Sequence, residues 1–240
     1  VVDLMEAYAV PTGAGEVRPF VRCNMITSLD GAISLNGRSG MLGGPADTRV
    51  FQTLRALADV ILVGAGTMRT EGYGPARLDD DVRKQRLERG QRPVPAIAVV
   101  TRSGNLDWSS PFFTDAEERP IIFTTGDSDE RARVRAQKVA EVVITGDARA
   151  DARAILEHLQ ERSHRSVLLE GGPALNAEVV DAGLLDELCL TLSPRLVAGD
   201  GPRVLAGPEL AEPLDLEVIH LLEEDGFLFY RLGVREGQTR

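Results

Sequence analysis

The sequence contains few of the residues that build disulfide-rich, metal-binding or polyanion-binding proteins. Its 240 residues include only two cysteines and three histidines, and its formal net charge is −10. Cys23 and Cys189 lie far apart in apolar runs, without a CxxC pair or a Cys/His cluster. We therefore expect two buried free thiols, no disulfide framework and no metal site. An acidic chain also suits neither the phosphate backbone of nucleic acids nor an anionic membrane surface.

Long apolar runs are absent as well. No run approaches the roughly 20 residues that span a bilayer. Residues 1–19 lack the basic stretch and apolar centre of a secretory signal, so we expect a cytoplasmic protein. A hydrophobic fraction of 43% is nevertheless ordinary for a globular chain, and a core large enough for an enzyme is available.

Short apolar runs alternate with helical patterns over most of the chain, which predicts an α/β fold. A strand is predicted at Phe20–Ser28, where it is followed by the turn residues Asp30 and Gly31. A helix is predicted to begin near Pro45, because proline suits the first helical turn. Further strands are predicted at 60–63, 96–100, 121–124, 142–144 and 167–169, and a further helix at 152–162.

The last quarter of the chain has a different pattern. Strands are predicted at 188–192, 216–222 and 227–232, and the turn Glu223–Gly226 between the last two is typical of a hairpin. We therefore predict one mixed domain over 20–235, in which a mostly parallel sheet with helices on both faces ends in an antiparallel hairpin. Residues 1–19 form an N-terminal extension and 236–240 a tail, and both are predicted to be poorly anchored.

Two predicted strands run directly into glycine turns that are followed by helices. The first turn is Gly64-Ala65-Gly66-Thr67, and the second lies within Glu170–Asn176. Open α/β sheets bind ligands beyond the carboxyl ends of their strands, and the free N–H groups of a helix N-terminus suit a pyrophosphate. Either turn alone could be only a tight connection, but the two together favour a dinucleotide. Neither turn matches GxGxxG or a P-loop.

Charged residues near other strand ends suggest further site positions. Arg102 follows a strand beside hydroxyl groups, which suits the 2′-phosphate of NADP, although a solvated arginine is the alternative. Asp30 follows the first strand and Asp47 lies in the first helical turn; turn formation and the helix dipole could account for them. Glu170 ends a buried strand and therefore needs a partner. The histidines are scattered and form no triad.

Several motifs together resemble the riboflavin-pathway pyrimidine reductase domain. They occur in the family's order: Asn24–Gly31, Ser39-Gly40, Leu54–Asp59, Gly64–Glu71, Leu169–Asn176 and Gly183–Leu188. The resemblance implies a dihydrofolate-reductase-like fold, NADPH as the hydride donor and a homodimer. The implied reaction converts the ribosyl group of a phosphoribosylamino-pyrimidinedione to ribityl. The ligand motifs of the zinc deaminase that precedes this domain in bifunctional relatives are absent, so we expect a stand-alone reductase.

The resemblance also assigns individual residues to the site. Those expected at the cofactor are Thr27, Gly64, Gly66, Thr67, Glu71, Thr101, Arg102, Gly171, Gly172, Pro173, Ala174, Leu175 and Asn176. Those expected at the substrate are Asn24, Ser39, Arg55 and Glu170, with Arg55 as the candidate phosphate anchor. Asp30 or Asp47 would act catalytically, by positioning the heterocycle or relaying a proton to nitrogen.

One segment departs from the family pattern and leaves other functions open. Gly72–Arg77 replaces the acidic and proline residues of the bifunctional enzymes, in a segment that helps to shape the substrate site. Dihydrofolate or another pterin is therefore an alternative substrate, for which Asp47 would correspond to the proton-handling carboxylate of dihydrofolate reductases. A non-catalytic NADPH-binding module is a third alternative, against which the intact Asp30, Glu170 and Arg55 count.

Overall fold

A nine-stranded sheet runs through the protein, and the computed structural model describes residues 2–235 and 237. The strands are β1 (Phe20–Ser28), β2 (Val60–Gly64), β3 (Ala96–Val100), β4 (Ile121–Thr124), β5 (Glu141–Ile144), β6 (Ser166–Leu169), β7 (Glu187–Ser193), β8 (Leu216–Glu224) and β9 (Phe227–Val234). Their order is β5-β4-β3-β2-β6-β1-β7-β9-β8. β9 pairs in the antiparallel sense with β7 on one side and β8 on the other, whereas β1 to β7 pair with one another in the parallel sense. The predicted mostly parallel sheet with a C-terminal hairpin is confirmed.

Helices connect the parallel strands and cover the sheet. They are α1 (Leu4–Ala7), α2 (Pro45–Leu57), α3 (Ala65–Glu71), α4 (Asp80–Glu88), α5 (Pro111–Thr114), α6 (Glu130–Ala136), α7 (Ala152–Glu161) and α8 (Pro173–Asp181), with a 3-10 turn at Ser39–Met41. As predicted, α2 begins at its proline and a helix, α7, lies within 152–162; it buries Ile155, Leu156 and Leu159. None of the helices in residues 2–235 is long and apolar enough to cross a membrane.

Helix α4 was not predicted, because its nearly all-charged sequence has no apolar stripe. Its buried side chain is Arg86, which is fully inaccessible to solvent. The Arg86 guanidinium donates to the carbonyls of Ala56 at 2.9 Å and Ala58 at 2.7 Å, where α2 ends. Burial lowers the pKa of Arg86 to about 10. A charged side chain therefore satisfies the carbonyl groups that the end of α2 leaves open.

Two apolar clusters occupy the two sides of the sheet. Ile61 and Val63 of β2 belong to one cluster and Val60 and Leu62 to the other, because alternate residues of a strand point to opposite faces. The two free cysteines are likewise divided, with Cys189 in the first cluster and Cys23 in the second. Both thiols are buried, as expected, and burial raises the pKa of Cys189 to about 12.

The N-terminal segment packs into the molecule, so the prediction that it is poorly anchored is wrong. Tyr8 is only 1% exposed and belongs to the first apolar cluster. The Arg22 guanidinium donates to the Tyr8 carbonyl at 2.8 Å, and Arg231 donates to the carbonyls of Ala7 at 2.7 Å and Ala9 at 2.9 Å. Both arginines also bind Glu187. The predicted tail lies outside the described residues, except for Gly237.

One face of the antiparallel end of the sheet is apolar and partly exposed. The strand registers place side chains of β7, β9 and β8 side by side on this face. Its residues include Leu190, Leu192, Leu228, Tyr230, Leu232, Val218 and Leu221, and Glu223 lies beside Leu228 on the same face. Val218 is 61% exposed and Leu221 48%. Within the described part of the chain, none of the seven belongs to either apolar cluster.

Candidate active site

A cavity of about 1020 Å³ lies between α2 and the carboxyl ends of β2, β3 and β6. Open α/β sheets bind ligands at this position, and the volume is at the upper end for ordinary ligand cavities. Fifteen of the predicted site residues line it: Asn24, Ser39, Asp47, Arg55, Gly64, Gly66, Thr67, Glu71, Thr101, Arg102, Glu170, Gly172, Pro173, Ala174 and Leu175. The fold therefore brings together residues from six separate stretches of the sequence.

The two glycine turns meet at the cavity floor. The Gly64 N–H donates to the Gly171 carbonyl at 2.7 Å, and the Gly171–Gly172 peptide bond is cis. A Cβ on Gly64 would lie 3.2 Å from the Gly172 nitrogen, and a Cβ on Gly172 would lie 2.8 Å from the Thr67 hydroxyl. A side chain at position 64 would press against backbone, whereas a side chain at position 172 would have to displace the Thr67 hydroxyl.

The starts of α3 and α8 face the cavity without side-chain caps. Gly64 precedes α3 and Gly172 precedes α8, and neither helix start has a side-chain hydrogen bond. The first-turn N–H groups of α8, at Ala174 and Leu175, therefore remain available beside the cavity, together with the partial positive charge of a helix N-terminus. A Cβ on Gly66 would meet no atom within 4 Å, so the surface there is open. This arrangement suits an anionic group such as a pyrophosphate.

The end of β3 places cations at one edge of the cavity. Thr101 is buried, and its hydroxyl accepts a hydrogen bond from the Gly104 N–H at 3.1 Å. Arg102 is exposed, and Arg69 donates to the Asn105 carbonyl at 2.9 Å beside it. Both arginines line the cavity. The Thr101 hydroxyl thus shapes the turn, while two guanidinium groups are positioned to meet a phosphate.

Helix α2 forms the opposite wall. Asp47, Phe51 and Arg55 are spaced four residues apart, so they lie in a row along one face of the helix, and all three line the cavity. Phe51 is half-buried at the cavity surface. Burial raises the pKa of the Asp47 carboxyl, against the opposing effect of a hydrogen bond from Thr191. Asp47 is thus more readily protonated than an ordinary aspartate.

Arg55 and Glu170 form an ion pair across the cavity wall. Nε and Nη2 of Arg55 each lie 2.7 Å from a Glu170 oxygen. The Tyr73 hydroxyl donates to the same carboxylate at 2.5 Å. Burial, followed by the negative charge of Glu170, raises the pKa of Tyr73 well above its usual value. The predicted need of Glu170 for a partner is met, and Tyr73 is a site residue that the sequence singled out only as part of a segment departing from the family pattern.

Ser39 and Glu71 line the cavity as a bonded pair. The Ser39 N–H donates to a Glu71 carboxylate oxygen at 2.7 Å, which fastens the 3-10 turn to the end of α3. Glu71, which is expected to contact the cofactor, therefore lies next to Ser39, which is expected to contact the substrate.

Four predicted site residues do not line the cavity: Thr27, Asp30, Gly171 and Asn176. Asp30 is exposed, and its carboxylate accepts hydrogen bonds from the Ser28 hydroxyl at 2.5 Å and the Ala198 N–H at 2.6 Å. These bonds, that of Ser28 first, lower the pKa of Asp30 to about 2. Asp30 thus fastens the loop after β7, in agreement with the turn-forming alternative. Asn176 similarly holds the Val204 carbonyl at 3.0 Å.

Comparisons with known proteins show the family to which the chain belongs. The RibD C-terminal domain family matches residues 19–225. The 2,5-diamino-6-ribosylamino-4(3H)-pyrimidinone 5′-phosphate reductase of Archaeoglobus fulgidus is 29% identical over 210 residues, which cover 87% of this chain and 95% of the relative. The crystal structure of a pyrimidine reductase-like protein from Corynebacterium diphtheriae has a TM-score of 0.88 at 27% identity, covering 98% of this chain and 100% of the other.

A more distant structure identifies the fold. Dihydrofolate reductase from Enterococcus faecalis superposes with a TM-score of 0.51 at 12% identity, covering 90% of this chain and 97% of the other. The dihydrofolate-reductase-like fold implied by the sequence motifs is thus confirmed. Because the family match extends over most of the described residues, this chain belongs to the RibD C-terminal domain family of riboflavin-pathway reductases.

Proposed function

We propose that this chain is an NADPH-dependent reductase that acts on a pyrimidine-type substrate. It would resemble 5-amino-6-(5-phosphoribosylamino)uracil reductase, reducing a C=N group so that a ribosylamino substituent becomes ribitylamino. The observation that carries this proposal is the meeting, in one cavity, of an uncapped helix start at Gly172 with the row of Asp47, Phe51 and Arg55 on α2. One wall suits a dinucleotide and the other a planar heterocycle.

The residues of the strand-end wall fit NADPH. The first turn of α8 would hold the pyrophosphate on its free N–H groups, and the open surface at Gly66 lets a ligand approach the backbone. Arg102 and Arg69 would hold the phosphate on the adenosine, which favours NADPH over NADH. When bound, NADPH would supply a hydride from its nicotinamide ring.

The residues of the α2 wall would orient the substrate and handle the proton. Phe51 offers an aromatic surface for a planar ring. Asp47 is the candidate proton donor, because its raised pKa keeps a larger fraction of the carboxyl protonated than in an ordinary aspartate. Asp30 is less suited to this role, because its carboxylate is outside the cavity and bonded to the loop at 197–198.

The proposal also concerns which heterocycle is reduced. The name of the Archaeoglobus relative describes a diaminopyrimidinone carrying a ribosyl 5′-phosphate. We propose a phosphoribosylamino-pyrimidine of this kind, with the deaminated pyrimidinedione as the first compound to test. A dihydropteridine is the second candidate, favoured by the partly buried carboxyl of Asp47 at the start of α2. The well-formed α2 wall counts against a module that binds NADPH without catalysis.

We further propose that the protein is a cytoplasmic homodimer. The partly exposed apolar face of β7, β9 and β8 supports a second copy at this position, because burial of Val218 and Leu221 would remove apolar surface from water. Two free, buried thiols suit a reducing compartment. Sedimentation equilibrium at micromolar concentration tests the dimer, and a monomer there would count against it.

The decisive experiment follows NADPH oxidation with the phosphoribosylamino-pyrimidinedione and with dihydrofolate in parallel. Asp47→Asn should lower kcat about 100-fold, as expected for loss of a positioned proton donor. Asp30→Asn is the matched control, because it alters a carboxylate outside the cavity, and it should retain most of the activity. Turnover of dihydrofolate alone would move the assignment to the second candidate. Tight NADPH binding without turnover of either compound would contradict the proposed substrate class.

A further inference from the structure

The N-terminal segment precedes the region that the family model matches, which begins at residue 19. It is nevertheless built into the side of the sheet that carries α2. Helix α1 packs against α2, and Leu4, Met5 and Ala7 contact the first apolar cluster. Tyr8, which follows α1, is 1% exposed and belongs to that cluster. The segment therefore supports the helix that forms one wall of the cavity.

Helix α2 presents two neighbouring rows of side chains. Ala46, Val50 and Leu54 form one row, which is buried in the first apolar cluster together with Tyr8. The row that lines the cavity begins at Asp47, one residue further along the helix. Successive residues of a helix differ in direction by about 100°, and both rows are fixed to the same backbone. A change in the packing of the buried row therefore moves the cavity row as well.

The sheet holds the N-terminal segment from the side opposite α2. The buried guanidinium groups of Arg22 and Arg231 donate to the carbonyls of residues 7–9. The Tyr8 ring meets the ring of His220 on β8 edge-on, with 5.0 Å between their centres and 78° between their planes. Tyr8 is thus enclosed between α2 and the antiparallel end of the sheet, and its ring has a fixed position.

Tyr8 and Asp47 meet neighbouring residues on one face of β7. Asp47 accepts a hydrogen bond from Thr191, and Cys189 lies two residues before Thr191 on the same face of the strand. Burial raises the pKa of Tyr8, and Cys189 and Asp47 add to this rise against the opposing effect of two nearby arginines. Beside the Asp47 carboxylate, a Cβ on Gly43 would lie only 2.6 Å from it. The carboxyl is therefore confined between this glycine, β7 and the region of the tyrosine.

We propose that Tyr8 is a positioning residue for Asp47: its ring holds the first turn of α2 against β7 and thereby fixes the carboxyl at the cavity. The inference rests on the proposed function and deepens it, because it assigns a role in the reaction to a residue outside the matched family region. Tyr8 does not line the cavity, so it acts through α2 and touches neither substrate nor cofactor.

The test measures NADPH oxidation with the phosphoribosylamino-pyrimidinedione for the wild type and for variants of Tyr8. Tyr8→Ala removes the supporting ring, so kcat should fall about tenfold while the dissociation constant of NADPH is unchanged. Tyr8→Phe keeps the ring and should retain nearly the wild-type kcat. If Tyr8→Ala does not fold, Tyr8→Leu takes its place, because leucine keeps apolar volume but lacks the reach of the ring.

Leu159→Ala is the matched control for loss of core packing. Leu159 is fully buried in α7 and belongs to the second apolar cluster, on the other side of the sheet. This variant should lose stability, as Tyr8→Ala does, but keep its kcat. A fall in kcat as large as that of Tyr8→Ala would show that any loss of core packing lowers activity, and it would overturn the inference.

A double-mutant cycle with Asp47→Asn shows whether Tyr8 acts through this carboxyl. In the Asp47→Asn background, Tyr8→Ala should have little further effect on kcat, since effects of residues that act as a unit are not additive. Hydrogen exchange gives a readout independent of activity: amides in the first half of α2 should exchange faster in Tyr8→Ala than in Leu159→Ala. Equal exchange in these two variants, or an equal loss of kcat in both backgrounds, would overturn the inference.

The outcomes separate this inference from the proposed function. If Asp47→Asn lowers kcat but Tyr8→Ala leaves it unchanged, this inference alone fails. A loss in Tyr8→Phe as large as that in Tyr8→Ala would also overturn it, because the ring would then not be the supporting group. If Asp47→Asn keeps full activity, or if the wild type binds NADPH without reducing the pyrimidinedione, the proposed function fails in that part, and this inference fails with it.

Discussion

Two buried clusters of arginine and glutamate stabilise charge in different ways. At the cavity, Glu170 neutralises the single guanidinium of Arg55, and one side of that guanidinium remains accessible. On the other side of β1, Glu187 is shared by Arg22 and Arg231, so the cluster carries an excess positive charge. There the carbonyls of residues 7–9 accept three further hydrogen bonds from the two guanidinium groups. An arginine–glutamate pair without net charge can face a ligand cavity. A buried cluster with an excess positive charge needs backbone carbonyls around it to accept its N–H groups.

The largest effect on unfolding is expected from breaking the enclosed cluster. Glu187→Gln removes the carboxylate shared by the buried guanidinium groups of Arg22 and Arg231. It should lower the free energy of unfolding by about 3–5 kcal/mol. Urea denaturation measures this change. The matched control is Glu224→Gln, because Glu224 pairs with Arg49 on the surface, where both side chains are about half exposed. That control should cost at most about 1 kcal/mol. Equal losses for the two variants would contradict the comparison.

A smaller loss of stability but a larger loss of activity is expected at the cavity. Glu170→Gln leaves Arg55 without its counter-charge, but solvent can reach that guanidinium, so the free energy of unfolding should fall by only about 1–3 kcal/mol. Activity should fall at least tenfold, because the guanidinium loses its two-point fixation. Denaturation and NADPH oxidation are measured on the same preparation. A stability loss as large as that of Glu187→Gln, with activity retained, would show that both clusters are only structural.

A third variant changes the strand-end wall of the cavity and leaves both arginine–glutamate clusters intact. Gly172→Ala places a Cβ 2.8 Å from the Thr67 hydroxyl, a flexible group that can move, so stability should fall by about 1 kcal/mol or less. The displaced hydroxyl and the added methyl group lie where a pyrophosphate would bind, so the dissociation constant of NADPH should rise about tenfold. Gly126→Ala is the control, because its Cβ would make only ordinary contacts. Losses of stability and affinity in equal measure would show that the turn is structural.

The smallest effect on unfolding, and one of opposite sign, is expected at Asp47 in the cavity wall. Burial raises the pKa of Asp47 above its ordinary 3.8. The unfolded chain therefore ionises first as pH rises, and stability falls between the ordinary pKa and the raised one. Asp47→Asn should remove this fall and leave the variant slightly more stable at neutral pH. Urea denaturation at a series of pH values tests this, and a destabilised variant would contradict it.

Local patterns predicted most of the strands. The bounds of Phe20–Ser28 and Ile121–Thr124 agree with the structure, because apolar runs and alternation depend only on neighbouring residues. The anchoring of the N-terminal segment could not be predicted. It depends on Arg22 and Glu187, which lie 165 residues apart in the sequence. No local pattern shows that a polar position in an alternating strand is buried.

The candidate site could be predicted in part for the same reason. Glycine turns after strands located the cavity, because their position relative to the sheet follows from the fold class. The direction of a side chain does not follow from the fold class. The Asp30 side chain points towards the loop at 197–198, and Arg55 on α2 pairs with Glu170, which follows β6. The partners that decide both roles are distant in sequence, so motif resemblance placed these residues near the site without giving their contacts.

Because the two cysteines lie on opposite faces of the sheet, the reactivity of each thiol can report the unfolding of one face. Cys23 and Cys189 lie on neighbouring strands, but each is enclosed by a different apolar cluster. An alkylating reagent reaches either thiolate only after the cluster around it opens, since burial keeps both thiols protonated. The labelling rates of the two residues, separated by mass spectrometry, would therefore show whether the two sides of the sheet open together or one before the other.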